Sequence, residues 1–187
     1  MMIALTHFGS DEFLPLLKLW FDRYLKSGCH LNVVVLSDKK VKVPAAFEPY
    51  DPTRTNQRFA VARFDPIAEV VRPGRAFDMK GSLVLSGIEM FADHKVFLVD
   101  SDAFFLRDPS QTLAYLDGAY CMGEDPMVRH IRGIDREIAE RNAGVLFFGT
   151  TDTAHRRAIR DKFIENFRSE EHTSELQSRE TISYAVF

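Results

Sequence analysis

Two short runs constrain the fold more than any other feature: Leu31 to Leu36 (Leu-Asn-Val-Val-Val-Leu) and Lys95 to Val99 (Lys-Val-Phe-Leu-Val). Each has the length of a strand, is rich in β-branched residues, and is apolar at nearly every position, so both of its faces need cover. Longer stretches with helical spacing lie between such runs. That alternation predicts an α/β domain, a mainly parallel sheet flanked by helices.

The remaining elements follow from the same reading. Ile3 to Leu5 is a first strand, and Phe13, Leu16, Leu17, Trp20 and Tyr24 keep helical spacing after the turn at Gly9-Ser10. Pro15 belongs in the first turn of that helix, where its missing donor matters least, and Gly28 ends it. Val43 to Pro52, with three prolines, reads as a loop, and Thr55 to Val71 as partly helical with an interruption at Pro66. Arg72-Pro73-Gly74 is a turn. Met79, Leu83, Ile88 and Phe91 mark a helix over 77–92, in which Gly81 and Gly87 permit close packing. Ala103 to Leu106 should continue extended, Asp108-Pro109 should open a short helix, and Ala119 to Met122 and Gly144 to Phe148 are further strands. Thr151 or Asp152 caps a closing helix to Phe167.

Composition narrows the function. A formal charge of −3 gives no support for a nucleic-acid binder, which should show a concentrated basic face, so no nucleic-acid partner is expected. No apolar run reaches the roughly 18 residues needed for a membrane span, and no leader precedes Ile3, so a soluble, cytoplasmic chain is expected. The two cysteines, Cys29 and Cys121, lack metal-ligand spacing and read as reduced buried thiols. Sixteen phenylalanines indicate a well-filled core.

The last twenty residues stand apart. Arg168 to Ser178 (Arg-Ser-Glu-Glu-His-Thr-Ser-Glu-Leu-Gln-Ser) resembles, codon for codon, a translated sequencing-library adapter, and Ile182 to Phe187 resembles its continuation. The expectation is a native domain over 1–167 that is incomplete at its C-terminus, with 168–187 adapter-derived. His172 then has no role, and the native charge is about −1.

The feature with the most chemistry is Asp100-Ser101-Asp102, at the carboxyl end of an apolar strand. Residues i and i+2 of an extended chain point to the same side, so the two carboxylates can converge on one cation. Two carboxylates favour a hard ion, Mn2+ or Mg2+, able to bridge diphosphate oxygens. Ligands of open α/β sheets gather beyond the carboxyl ends of the strands, where this motif lies. Solvated loops also produce Asp-x-Asp often, so the motif alone is weak.

Its surroundings add to it. Lys95 to Pro109, an apolar strand ending in Asp-x-Asp, then a short apolar segment and an Asp-Pro turn, resembles the corresponding region of GT-A glycosyltransferases, particularly the family 8-like group. Asn142 to Phe148 (Asn-Ala-Gly-Val-Leu-Phe-Phe) resembles their following Asn-x-Gly strand, and Ala4 to Phe8 falls where their first strand meets the nucleotide base. The resemblance implies a GT-A-like, Rossmann-related domain that transfers a sugar from a nucleoside-diphosphate sugar, a UDP-sugar first among them, to a glycan, lipid or protein acceptor. Asp100 and Asp102 would then hold the metal and diphosphate, with Ser101 beside the donor. Thr6 and His7 would line the base pocket, although a loop histidine bonded to backbone explains His7 as well. Lys80 would face the phosphates or sugar, or else be a solvated helix lysine. Asn142 and Gly144 would approach the donor sugar or acceptor, although Gly144 also suits simple backbone packing. Glu124-Asp125 could bind sugar hydroxyls. Arg54, Arg58, Arg63, Arg72 and Arg75 are placed in loops around the nucleotide face, most of them solvated.

Two departures from the family pattern stand out. Its further metal ligand, often a histidine after the Asn-x-Gly strand, has only His155 to match it, in a basic helix segment (His155-Arg156-Arg157) that reads as solvated. No residue identifies itself as a general base, so the catalytic group stays unassigned and a retaining route is compatible. Two other functions compete: a sugar-nucleotide or glycan-binding module without turnover, and a haloacid dehalogenase-type phosphohydrolase. The latter wants its motif on the first strand and a Thr or Val where Phe104 stands.

Overall fold

The computed structural model describes residues 2–54, 56–67, 76–116, 120–124 and 141–169. Asp125, Arg72, Arg75 and the segment 170–187, His172 included, lie outside the described residues.

The chain opens with β1 (Met2–His7), a 3-10 turn (Asp11–Phe13), α1 (Leu14–Lys26) and β2 (Asn32–Ser37). It continues through a two-residue strand β3 (Glu48–Pro49), β4 (Phe59–Arg63), α2 (Ala76–Met90) and β5 (Lys95–Val99). It then runs through α3 (Ser110–Tyr115), β6 (Tyr120–Glu124), β7 (Arg141–Phe148) and α4 (Thr153–Ser169). One seven-stranded sheet has the order β3-β4-β2-β1-β5-β7-β6. Strands β3, β4, β2, β1 and β5 run parallel, and β7 pairs antiparallel with both β5 and β6. The mainly parallel α/β sheet expected from the alternating runs is therefore present.

Side-chain alternation along the strands divides the core in two. Ala4, Val33, Val35, Phe97, Val99 and Phe147 meet Leu17, Trp20, Phe21 and Tyr24 of α1 and Leu113 of α3. On the other face, Ile3, Leu5, Val34, Leu36, Val96, Leu98 and Phe148 meet Leu83, Val84, Ile88 and Phe91 around α2, with Ile159 and Phe163 of α4 beside them. Both faces of β2 and β5 are covered, which is why those two runs are apolar at nearly every position.

Helix ends form as their sequence signals require. Pro15 lies in the first turn of α1, and Gly28 follows the helix with φ of +72°. Asp152 Oδ1 accepts from the His155 N–H at 2.7 Å and caps α4, which reaches Ser169, two residues past Phe167. At the start of α3, Asp108 Oδ1 accepts from the Ser110 N–H at 2.9 Å.

Three expectations are corrected. Phe59–Arg63, read as part of a helical stretch, is a strand in register with β2 from Val33↔Phe59 to Ser37↔Arg63. Its Ala60 and Ala62 are buried against the α2 face. The proline-rich loop contains the edge strand β3, and Pro49 is tolerated there because an edge leaves one side of the backbone unpaired. Ala103 to Leu106 joins no strand. Side chains hold it instead, with Ala103 and Phe105 buried among the α1 cluster.

Candidate functional site at the carboxyl edge of the sheet

The parallel strands β1, β2, β4 and β5 all end on one edge, with His7, Ser37, Arg63 and Val99 as their last residues. Asp38 follows β2 and Asp100 follows β5, so this edge gathers acidic groups just beyond buried strands. That is where an open α/β sheet receives ligands.

Asp100 is held by its backbone on both sides. Its N–H donates to the Gly144 carbonyl at 2.8 Å, and its carbonyl accepts from the Ala103 N–H at 3.0 Å. The second bond closes a turn over Ser101 and Asp102, and all three residues of the motif are half-buried. The motif is thus a turn rather than a continuation of the strand, because pairing of β5 stops at Leu98 on one side and Val99 on the other. Strand alternation therefore does not govern where the two carboxylates point, which corrects the argument from i, i+2 spacing.

The structure brings Lys80 to this motif. From α2, its Nζ lies 2.6 Å from Asp100 Oδ2, with 23% of the lysine side chain and 27% of the aspartate exposed. A charge-assisted contact this short, three-quarters covered, is better shielded than a surface pair. Lys80 is therefore not the solvated helix lysine of the alternative reading.

His7 and Thr6 lie on the adjacent strand end. Thr6 is fully buried, and its Oγ1, like His7 Nε2, is a buried atom with no hydrogen-bond partner among the described residues. His7 Nε2 stands 3.6 Å from Asp38 Oδ1, beyond hydrogen-bond length. Its ring meets Phe64 edge-on at 5.9 Å. Burial holds the imidazole below its ordinary value, against the upward pull of Asp38 and of Asp100. It is therefore neutral at pH 7 and retains an uncommitted nitrogen. Gly9 closes over the same spot, since a Cβ there would lie 3.4 Å from His7 Cε1 and 3.5 Å from Asp38 Oδ1. His7 Nε2, an orphaned polar atom with a glycine beside it, fits a polar group arriving from outside the chain, whereas Thr6, one residue earlier on β1, points to the opposite face of the sheet.

Gly144 is buried beside Asp100, and Asn142 lies two residues earlier on β7, in register with Gly123 across an irregularity between Met122 and Gly123. Glu124 pairs in register with Arg141 at the end of β6. The arginines divide. Arg63 ends β4 on the candidate edge. Arg54 instead pairs with Glu48 at 2.5 Å and lines a small cavity with Ile3, Asn32 and His94. The Arg58 carbonyl accepts from the Val33 N–H at the start of β2. Both belong to the amino-terminal edge of the sheet, opposite the candidate site, because β4 begins after them. His155 is exposed on α4, as read, but its neighbour Arg156 is buried.

Two residues were passed over in the sequence. Asp38 carries the same signal as Asp100, an acid directly after an apolar strand. Arg156 donates to the carbonyls of Ile88 (2.9 Å), Phe91 (3.0 Å), Thr150 (2.7 Å) and His94. It thereby caps the carboxyl end of α2, the helix that carries Lys80.

Among the described residues, no group of three or more His, Cys, Asp or Glu forms a metal cluster. The chemistry of Asp100 and Asp102 nevertheless suits a hard divalent cation. Both are carboxylates on one turn, and Asp100 already holds a positive charge, the Lys80 ammonium.

Neither a protein-family model nor a curated protein sequence matches the chain. Solved structures do. The galactosyltransferase LgtC, determined with donor and acceptor sugar analogues, superimposes with a TM-score of 0.54 at 14% identity, over 90% of this chain and 66% of LgtC. The glycosyltransferase GlyE of Streptococcus pneumoniae gives 0.56 at 16% identity, over 94% of this chain and 40% of GlyE. The bifunctional glycosyltransferase WbbM gives 0.57 at 14% identity, over 91% and 34%. The chain thus spans just under two thirds of LgtC and less than half of the other two. The fold is that of a GT-A-like glycosyltransferase domain. Among the described residues no helix is long and apolar enough to cross a membrane.

Proposed function

We propose that this domain binds a nucleoside-diphosphate sugar at the carboxyl edge of the sheet and takes part in transferring the sugar to an acceptor hydroxyl. The observation that supports it most is the convergence of Lys80, Asp100 and the Gly144 backbone beside the unsatisfied His7, on a fold shared with LgtC over 90% of the chain. The neutral His7 offers a hydrogen bond to a base or ribose, with Gly9 leaving space for its approach, and the fully buried Thr6 supports the strand end from beneath. Asp100 and Asp102 would hold Mn2+ or Mg2+, which when bound neutralises charge on the departing diphosphate. Lys80 adds a second positive charge against the phosphates. Asn142 and Gly144 border the sugar, and a UDP-sugar is the first donor to test.

In the transfer, the anomeric C–O bond to the diphosphate breaks, a new C–O bond to the acceptor oxygen forms, and the acceptor's hydroxyl proton leaves with the released diphosphate. The described residues contribute charge and positioning to that step. Phosphohydrolase chemistry of the haloacid dehalogenase kind is disfavoured, since the acidic motif follows the fifth strand in chain order.

Thermal shift of the purified protein with UDP, GDP, CDP or ADP, each with and without Mn2+, tests the reading. The expected result is stabilisation by one nucleotide only when metal is present, lost in Asp100→Ala and in Asp102→Ala. A sharp transition that no nucleotide or metal moves overturns it. Release of free nucleoside diphosphate from the matching nucleotide sugar then separates a transferase from a binding module.

A further inference from the structure

Lys80 and a divalent cation have claims on the same carboxylate. Lys80 Nζ is 2.6 Å from Asp100 Oδ2, so a metal ion binding that carboxylate meets an ammonium already on it. Neither backbone can retreat. Three residues beyond Lys80, α2 begins a buried face through Leu83, Val84 and Ile88, and its far end is fixed by Arg156. Asp100 is held by the Gly144 carbonyl and by the turn to Ala103. The lysine side chain is the part free to move, through its four-carbon stem.

Resting on the nucleotide-sugar reading above, we infer that Lys80 is an exchangeable counter-ion of Asp100, displaced by the divalent cation and taken up by the diphosphate that arrives with it. The displaced ammonium needs a new anion in a site three-quarters covered from water, and the diphosphate is that anion. Metal alone must strip Asp100 of its partner and gain nothing for the stranded lysine. Nucleotide alone meets a lysine already neutralised by Asp100. Bound together, each removes the other's penalty, so each must tighten the other by the same factor. Lys80 is thereby a positioning residue that makes donor and metal binding a joint event.

Calorimetric titration of Mn2+ alone, UDP alone and UDP with Mn2+ tests this, with free Mn2+ followed independently by its electron paramagnetic resonance signal. In Lys80→Met, which keeps an apolar stem without the charge, Mn2+ alone should bind about tenfold tighter than in the wild type. The factor by which UDP tightens Mn2+ should shrink by about the same amount. Lys80→Arg should retain both wild-type values to within a few-fold. Should the methionine variant fail to fold by circular dichroism, Lys80→Gln carries the same expectation. A charge-free variant that binds Mn2+ no more tightly than the wild type, while the wild type shows metal-dependent UDP binding, overturns the inference and leaves the nucleotide-sugar reading standing. Wild-type UDP binding that is indifferent to Mn2+ overturns the inference together with the metal dependence of the nucleotide-sugar reading, and leaves only nucleotide binding. A wild type that binds no nucleoside diphosphate under any condition removes both.

Discussion

The Trp20 indole N–H donates to the Ala103 carbonyl at 3.0 Å, joining α1 to the residue that follows the Asp100–Asp102 turn. Trp20 is fully buried, stacks on Tyr24 and meets Phe105 edge-on. Ala103 to Leu106 has no strand partner, so this bond and the burial of Ala103 and Phe105 are what fix the exit from the acidic turn. Position at the candidate site therefore depends on a residue far from it in sequence.

Trp20→Phe removes that donor, leaves the Ala103 carbonyl unsatisfied in the core and opens a cavity. The expected cost is about 2–4 kcal/mol, read as a lower urea midpoint at unchanged slope. An unchanged midpoint would mean that the segment after the turn is held by something other than Trp20.

Arg156 makes a larger difference for a related reason. Its guanidinium satisfies the Ile88, Phe91, His94 and Thr150 carbonyls with 4% of the residue exposed. Arg156→Met leaves several buried acceptors without a donor and uncaps α2, at an expected cost of about 3–5 kcal/mol. Arg156→Lys should recover only part, because an ammonium cannot span the same fan of acceptors. Equal stability of the lysine variant and the wild type would contradict this account.

These residues also mark what the sequence could disclose. Strands β1, β2 and β5 and helices α1 and α2 were legible because their periodicity is local. Phe59–Arg63 was not. Alternating large and small residues suit a helix as well as a strand, and the strand exists because β2 offers it an edge. Arg156 read as solvated from its neighbours His155 and Arg157, since the carbonyls that bury it lie in the last turn of a helix and just past its end, 68 and 65 positions away. At the site, the types and order of Asp100, Asp102 and Lys80 were legible, but their contact was not. No local pattern tells a helix lysine that a strand end 20 positions later will turn toward it.

Two glycines are required for different reasons, and substitution separates them. Gly28 has φ of +72° with nothing within 4 Å of a built Cβ, so Gly28→Ala should cost about 1 kcal/mol of backbone strain and Gly28→Asn less. At Gly87 the obstacle is steric, a Cβ falling 2.9 Å from Leu5 Cδ1 with Leu36 Cδ1 at 3.7 Å. Leu5 is fully buried, so repacking should outweigh the helix-propensity gain of about 1 kcal/mol and leave Gly87→Ala less stable overall. Thermal midpoints of the three variants decide it. A stabilised Gly87→Ala would show that Leu5 has room to move.

Stability should also fall on mild acidification, and two histidines account for it. Burial lowers the pKa of His7 against Asp38 and Asp100, and burial lowers that of His94, reinforced by the N-terminal amine and Arg156 and opposed by Asp93. Both therefore bind protons more weakly folded than unfolded, where the ordinary value is 6.5. Their contribution is fully present above that value and is lost as the pH falls through it toward the folded values. Asp51, lowered by the Thr53 hydroxyl and N–H, and Asp108, where burial is outweighed by the Ser110 hydroxyl and N–H, act only below the ordinary carboxylate value of 3.8. The two windows are separate. Urea midpoints measured from pH 7.5 down to 5 should decline in the wild type and stay nearly level in a His7→Asn, His94→Gln double variant. A double variant that keeps the full decline would assign the acid sensitivity to other groups, and the neutral His7 required at the candidate site would lose its support.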